Sequence, residues 1–209
     1  GNYKAPLDIS SFLAEYTGAT VYNVGFGGTR MSSHAEYWNT LSMFSLADAI
    51  TNKNFESQEN AIANNTDGNS QFPTYFSDTL SVLKSIDFND IDIITIAYGT
   101  NDFTGGVNID NPNNSKDTST FLGALRYSIE KISNAYPDIQ IVICTPMYRF
   151  WMNDAWEFVE DSDTKVIVNQ KLTDFVENEK KVTNEYNLLV IDNYNELNIN
   201  KANYSEYFS

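Results

Sequence analysis

The chain has 209 residues, about one domain's worth, and its 42% apolar and 14% aromatic content is enough for a proper core, which excludes wholesale disorder. Twenty-eight acidic residues against thirteen basic ones give a net charge of −15, a field that repels phosphate backbones and anionic lipid, so no nucleic acid and no membrane is expected as a partner. No apolar run nears the ~20 residues of a membrane span, and one cysteine with one histidine builds neither an intrachain disulfide nor a structural zinc site.

Ile9, Phe12, Leu13 and Tyr16 recur at i, i+3, i+4 and i+7, which predicts a helix, with Gly18 at its C′ position. Residues 20–25 (Thr-Val-Tyr-Asn-Val-Gly) predict a short strand opening into a glycine-rich turn. Residues 41–87 predict mainly helix, first around Phe44, Leu46, Ala47 and Ile50, then over residues 75–86 behind Pro73. Residues 91–98 are nearly continuously apolar and β-branched, the pattern of a strand covered on both faces. Phe121, Leu122, Leu125, Ile129 and Ile132 predict a helix stopped by Pro137, and residues 139–148 another buried strand. Val168, Leu172, Phe175, Val176 and Val182 predict a long helix, and residues 188–191 a last short strand. Asn is densest at 108–114 and 193–203, which read as ordered loops. No repeat and no linker interrupts the pattern, so residues 1–209 read as one domain. Strands alternating with helices through long crossovers imply an α/β fold, a parallel sheet with helices on both faces.

In such a sheet the chemistry sits just beyond the carboxyl ends of the strands. Those positions hold Gly25-Phe26-Gly27-Gly28-Thr29-Arg30, then Gly99-Thr100-Asn101-Asp102, then Arg149-Phe150-Trp151, then Asp192-Asn193-Tyr194-Asn195. The glycine run can be a phosphate cradle or a bare turn; it lacks the full dinucleotide fingerprint and the P-loop Lys-Ser/Thr. Asn101 offers a neutral amide donor on a rigid element, suited to an oxyanion that develops in acyl transfer, with a backbone N–H beside Gly28 as a second donor. Its alternative is an Asx turn or helix cap, and Asp102 is assigned such a structural role.

Residues 23–29 (Asn-Val-Gly-Phe-Gly-Gly-Thr) after one strand and Gly99-Thr100-Asn101-Asp102 after the next together resemble the second and third blocks of the SGNH (GDSL-type) hydrolases. Thr145-Pro146 at the next strand end is similar to that family too, and the resemblance runs over essentially the whole chain. It implies a flavodoxin-like α/β ester hydrolase without cofactor or metal, acting on small-molecule or carbohydrate esters. It also implies that Gly28, through its backbone N–H, and Asn101, through its side chain, form the oxyanion hole. Thr29, Arg149 and Trp151 are the candidate substrate contacts, since aromatics suit sugar faces and Arg149 suits a carboxylate or hydroxyl-rich ligand.

The family's Gly-Asp-Ser nucleophile motif and Asp-x-x-His motif are both absent. Residues 1–3 resemble sequence just past the nucleophile turn, and residues 203–209 the lead-in to the Asp-x-x-His loop. The expectation is therefore a longer natural chain, trimmed at both ends, whose first and central strand is missing and whose 209 residues alone are inert. The rival readings are a non-catalytic carbohydrate- or polymer-binding module on the same fold and a flavodoxin-like nucleotide binder. His34, next to Ser32 and Ser33, is expected at the pocket edge and not as a base, because such neighbours on a helix do not face one another. Cys144 is expected as a small buried hydrophobe, and the acidic run 157–163 as a solvated face.

Overall fold

The structure, a computed structural model, describes residues 9–65 and 72–207; residues 1–3 and 208–209, beside the expected absent motifs, lie outside the described residues. Four helices come first: α1 (Ile9–Thr17), α2 (Met43–Asn52), α3 (Glu56–Asn64) and α4 (Tyr75–Ser85). Strand β1 (Ile93–Ile96) leads into the short helix α5 (Thr100–Thr104), then α6 (Phe121–Ala135) and β2 (Gln140–Cys144). A hairpin of β3 (Phe150–Met152) and β4 (Phe158–Asp161) precedes α7 (Leu172–Glu185), β5 (Leu189–Ile191), α8 (Asn193–Glu196) and α9 (Tyr204–Tyr207). Strands β1, β2 and β5 form a parallel sheet in the order β1-β2-β5, so the α/β class expected from the alternation is the class found.

Local chemistry explains most element ends. Gly18 takes φ +74° and returns its N–H to the Ala14 carbonyl, closing α1 as a C′ glycine does. Thr120 caps α6, its hydroxyl accepting from the Gly123 N–H, and the helix stops one residue short of Tyr136-Pro137. Strand β2 ends at Cys144 and not at residue 148, because Pro146 has no N–H with which to continue a ladder. Val168, expected inside the following helix, sits instead at φ +48° in the turn between Ile167 and Gln170, and α7 starts at Leu172.

Two strand expectations need correction. Residues 20–25 form no strand; a strand exists only through its ladder partner, and no described residue pairs with them. Strand β1 is covered on one face only, since Ile93 and Thr95 are exposed, and it is the edge strand of the described sheet. Its outer N–H and C=O groups have no ladder partner among the described residues. The acidic run 157–163 is also more than a solvated face: it supplies β4, antiparallel to β3, and Asp161 is buried, accepting from the Tyr148 hydroxyl and the Thr164 N–H.

The register divides the sheet into two unlike faces. Ile94, Ile96, Ile141 and Ile143 point to one side, where Met43 and Ala47 of α2, Leu125, Ile129 and Ile132 of α6, and Phe175 and Val182 of α7 pack over them. Burial of this order contributes roughly 1.5–3 kcal/mol per large apolar side chain. Ile93, Thr95, Leu189 and Ile191 point to the other side and are exposed, Ile93 at 55% and Leu189 at 56%, while Val142 of the central strand is buried on that side. The apolar stripe of α1 is likewise exposed.

Candidate active site

The loop after residues 20–25 and the tip of β1 are joined by side-chain chemistry. Asn101, in the first turn of α5, donates from Nδ2 to the Thr29 carbonyl at 2.9 Å. Its neighbour Asp102 is wholly buried, and its carboxylate accepts from the Met31 N–H (3.0 Å), the Ser32 N–H (3.0 Å) and the Ser32 hydroxyl (2.6 Å). Two consecutive residues of one strand tip thus hold three residues, Thr29, Met31 and Ser32, of a loop about seventy positions earlier in the chain. Asp102 fastens the turn, as its expected structural role requires.

Two glycines make this approach possible. Gly99 takes φ +108°, and a Cβ there would come 2.9 Å from Cγ of Pro146 and 3.2 Å from the Phe121 ring. Gly28 takes φ +87°, and a Cβ would press on the Trp38 ring at 3.3 Å. Both positions combine a left-handed backbone with a close neighbour, which only glycine accommodates without strain. The Gly27 N–H donates to the Tyr75 hydroxyl at 3.1 Å, whereas the Gly28 N–H has no acceptor among the described residues. The Asn101 amide carries two N–H groups, one engaged by Thr29 and the other without an acceptor among the described residues.

Thr29 lies beneath this loop. It is 3% exposed; its hydroxyl donates to the Phe26 carbonyl of its own loop at 2.7 Å, and its carbonyl, accepting from Asn101, joins that loop to the tip of β1. Burial pushes the nearby Tyr98 phenol up to about 12, against the opposing hydrogen bond to Thr29. His34 is partly buried beside Trp38, ring centroids 5.8 Å apart, and Nδ1 accepts from the Ala35 N–H. Burial and then the Arg30 charge hold its imidazole below its ordinary value. The Ser32 hydroxyl is spent on Asp102 and that of Ser33 on the Thr118 carbonyl, so neither serine pairs with His34.

Trp151, in β3, is half-buried with its ring 6.3 Å from that of Phe103, two residues beyond Asn101. Arg149 stacks over it with Cζ 5.2 Å from the ring centroid. Cys144 is half-buried; burial and the neighbouring Glu179 raise its thiol. Glu179 of α7 is the residue that sequence reasoning missed. It is fully buried with neither carboxylate oxygen bonded, and burial first, then the charges of Asp102 and Asp192, raise its pKa well above the ordinary range. The signal was its position: Phe175, Glu179 and Val182 fall at i, i+4 and i+7 on the apolar stripe. Among the described residues no group of three His, Cys, Asp or Glu side chains could hold a metal.

The model of the GDSL-like lipase/acylhydrolase family matches residues 2–207, nearly the whole sequence. The chain belongs to that family. No curated protein matches it. Among solved structures, a possible lipase from Chitinophaga pinensis is similar at 25% identity over 50% of this chain and 42% of that one, with a TM-score of 0.43. A protein from Lactobacillus plantarum is similar at 16% identity over 59% of this chain and 56% of that one, with a TM-score of 0.46. This GDSL-like chain therefore spans about half the length of the solved structures it matches.

Proposed function

We propose that the protein is an ester hydrolase working through a serine acyl-enzyme, with the Gly28 N–H and an Asn101 Nδ2–H as the oxyanion donors. The observation that carries this reading is the bond from Asn101 to the Thr29 carbonyl. It sets the amide one residue from Gly28, and it leaves one amide N–H and the Gly28 N–H both unengaged among the described residues. Unsatisfied donors on rigid backbone at a strand tip are what stabilises charge as it develops, because they need no reorganisation when it forms.

The serine and its His–Asp partners lie outside the 209 residues, none of which form a Gly-Asp-Ser or Asp-x-x-His motif. The bare outer edge of β1 supports a further strand there. In the reaction the serine Oγ attacks the ester carbonyl while its proton passes to histidine, and the carbonyl oxygen becomes the anion held by Gly28 and Asn101. The tetrahedral species collapses, the leaving alcohol takes the proton, and water repeats the sequence on the acyl-enzyme to release the acid. The 209 residues alone should turn over no ester. Short acyl esters, acetylated carbohydrate among them, suit the half-buried Trp151.

The absence of both motifs favours one other reading, a carbohydrate- or polymer-binding module without catalysis. Asn101→Ala in the full-length protein separates them: turnover of p-nitrophenyl acetate should fall by about tenfold or more while the fold persists by circular dichroism. Unchanged turnover removes the oxyanion assignment, and a full-length protein that no fluorophosphonate labels is the binding module.

A further inference from the structure

Of the chain's three arginines, Arg126 makes ion pairs among the described residues and Arg30 and Arg149 make none, in a protein carrying twenty-eight carboxylates. Arg126 lies between two of them, Asp110 at 3.0 Å and Glu185 at 3.2 Å. Arg149 makes no ion pair, and its guanidinium no hydrogen bond, among the described residues, although it is half-buried and stacked on Trp151. The acidic side chains of β4 and of the turn after it are engaged elsewhere. Glu160 pairs with Lys165 at 2.8 Å, Asp161 accepts from Tyr148 and Thr164, and Asp163 accepts from the Tyr194 hydroxyl at 2.6 Å.

Burial alone lowers the Arg149 pKa, with no neighbouring carboxylate to offset it. A partly desolvated guanidinium without an acceptor is a standing cost, and such groups call for an explanation. Stacking on an aromatic face holds the planar group by its π surface and leaves its N–H edge free to grip two oxygens at once. The location fits a ligand as well: Arg149 follows the loop that leaves β2, and its platform Trp151 rests against Phe103, two residues beyond Asn101.

We propose that Arg149, braced on Trp151, is a specificity residue of the ester site and receives an anionic group, carboxylate or phosphate, carried by the substrate. This rests on the ester-hydrolase reading. An overall charge of −15 disfavours anionic substrates at long range, so a dedicated, unclaimed guanidinium is what lets one bind.

The test uses the full-length protein with p-nitrophenyl succinate, whose acyl part ends in a carboxylate, beside the neutral p-nitrophenyl butyrate. Arg149→Gln should lower kcat/KM on the succinate by roughly tenfold or more and on the butyrate by less than about twofold, with Arg149→Lys between. Equal losses on both esters, or no loss on either, overturn the proposal. A second measurement does not depend on turnover. Free succinate or inorganic phosphate, at ionic strength matched with chloride, should raise the melting temperature of the parent and not of Arg149→Gln. A rise with succinate alone assigns a carboxylate, one with phosphate alone a phosphoryl group, and no rise with either overturns the site. If no ester is turned over, the hydrolase reading fails by itself and the melting arm still decides whether Arg149 binds anions.

Discussion

The two faces of the parallel sheet differ more than their sequences do. Ile94, Ile96, Ile141 and Ile143 lie under α2, α6 and α7, while the equally apolar Ile93, Leu189 and Ile191 face outward. On β1 the covered Ile94 and Ile96 and the exposed Ile93 belong to one strand, one residue apart, so the difference there arises from what is packed over them and not from strand propensity. The covered face is also the one fastened to the candidate site, through Asp102 to Ser32 and to Met31, which packs in the same core cluster. The exposed face and the bare edge of β1 are where the described residues leave the architecture open.

The largest effect that sharpens this contrast is expected at Asp102. Asp102→Ala strands three buried donors and should cost about 4 kcal/mol in urea unfolding, with Asp102→Asn losing less. A loss under about 1 kcal/mol would show that the loop is held by something else. Next, Ile143→Ala on the covered face should cost about 2–4 kcal/mol, while Ile191→Ala on the exposed face should stay within about 0.5 kcal/mol. Similar losses at the two positions would mean that the outer face is covered in solution.

The smallest effect concerns Glu179, buried on the covered side without partners. Its folded pKa is raised, so the folded protein holds that proton more tightly than the unfolded chain does. The resulting stability is fully present below the unfolded carboxyl value of about 4.3 and is lost as the pH climbs towards the folded value. Glu179→Gln removes the titration. The variant should match the parent near pH 4 and exceed it by roughly 1–2 kcal/mol near neutrality, read from denaturant midpoints at the two pH values. Parallel pH profiles would contradict the raised pKa.

Periodicity was enough to place α1, α6 and α7, because their stripes repeat at helical spacing and their ends carry Gly18, Pro137 and an acidic Asp174. It also placed β2 and β5, and the glycine-bearing tip of β1 and the glycine loop at 25–28 were legible because Gly99 and Gly28 sit where only glycine fits. Residues 20–25 misled because a strand's composition says nothing about whether a partner lies beside it. The hairpin of β3 and β4 was hidden because its strands are three and four residues long, too short for a period to show, and Trp156 turns the chain at φ +61°. The isolation of Arg149 was illegible for a different reason: whether a charge is paired depends on which carboxylates other side chains have already claimed, and only coordinates show that.

The most direct measurement is a structure of the full-length protein with its nucleophile trapped by a phosphonate ester. The phosphonyl oxygen should lie about 2.7–3.1 Å from both the Gly28 nitrogen and Asn101 Nδ2, with Asn101 still bonded to the Thr29 carbonyl. An oxygen held by other donors, with Gly28 and Asn101 turned away from it, would contradict the assignment of the site.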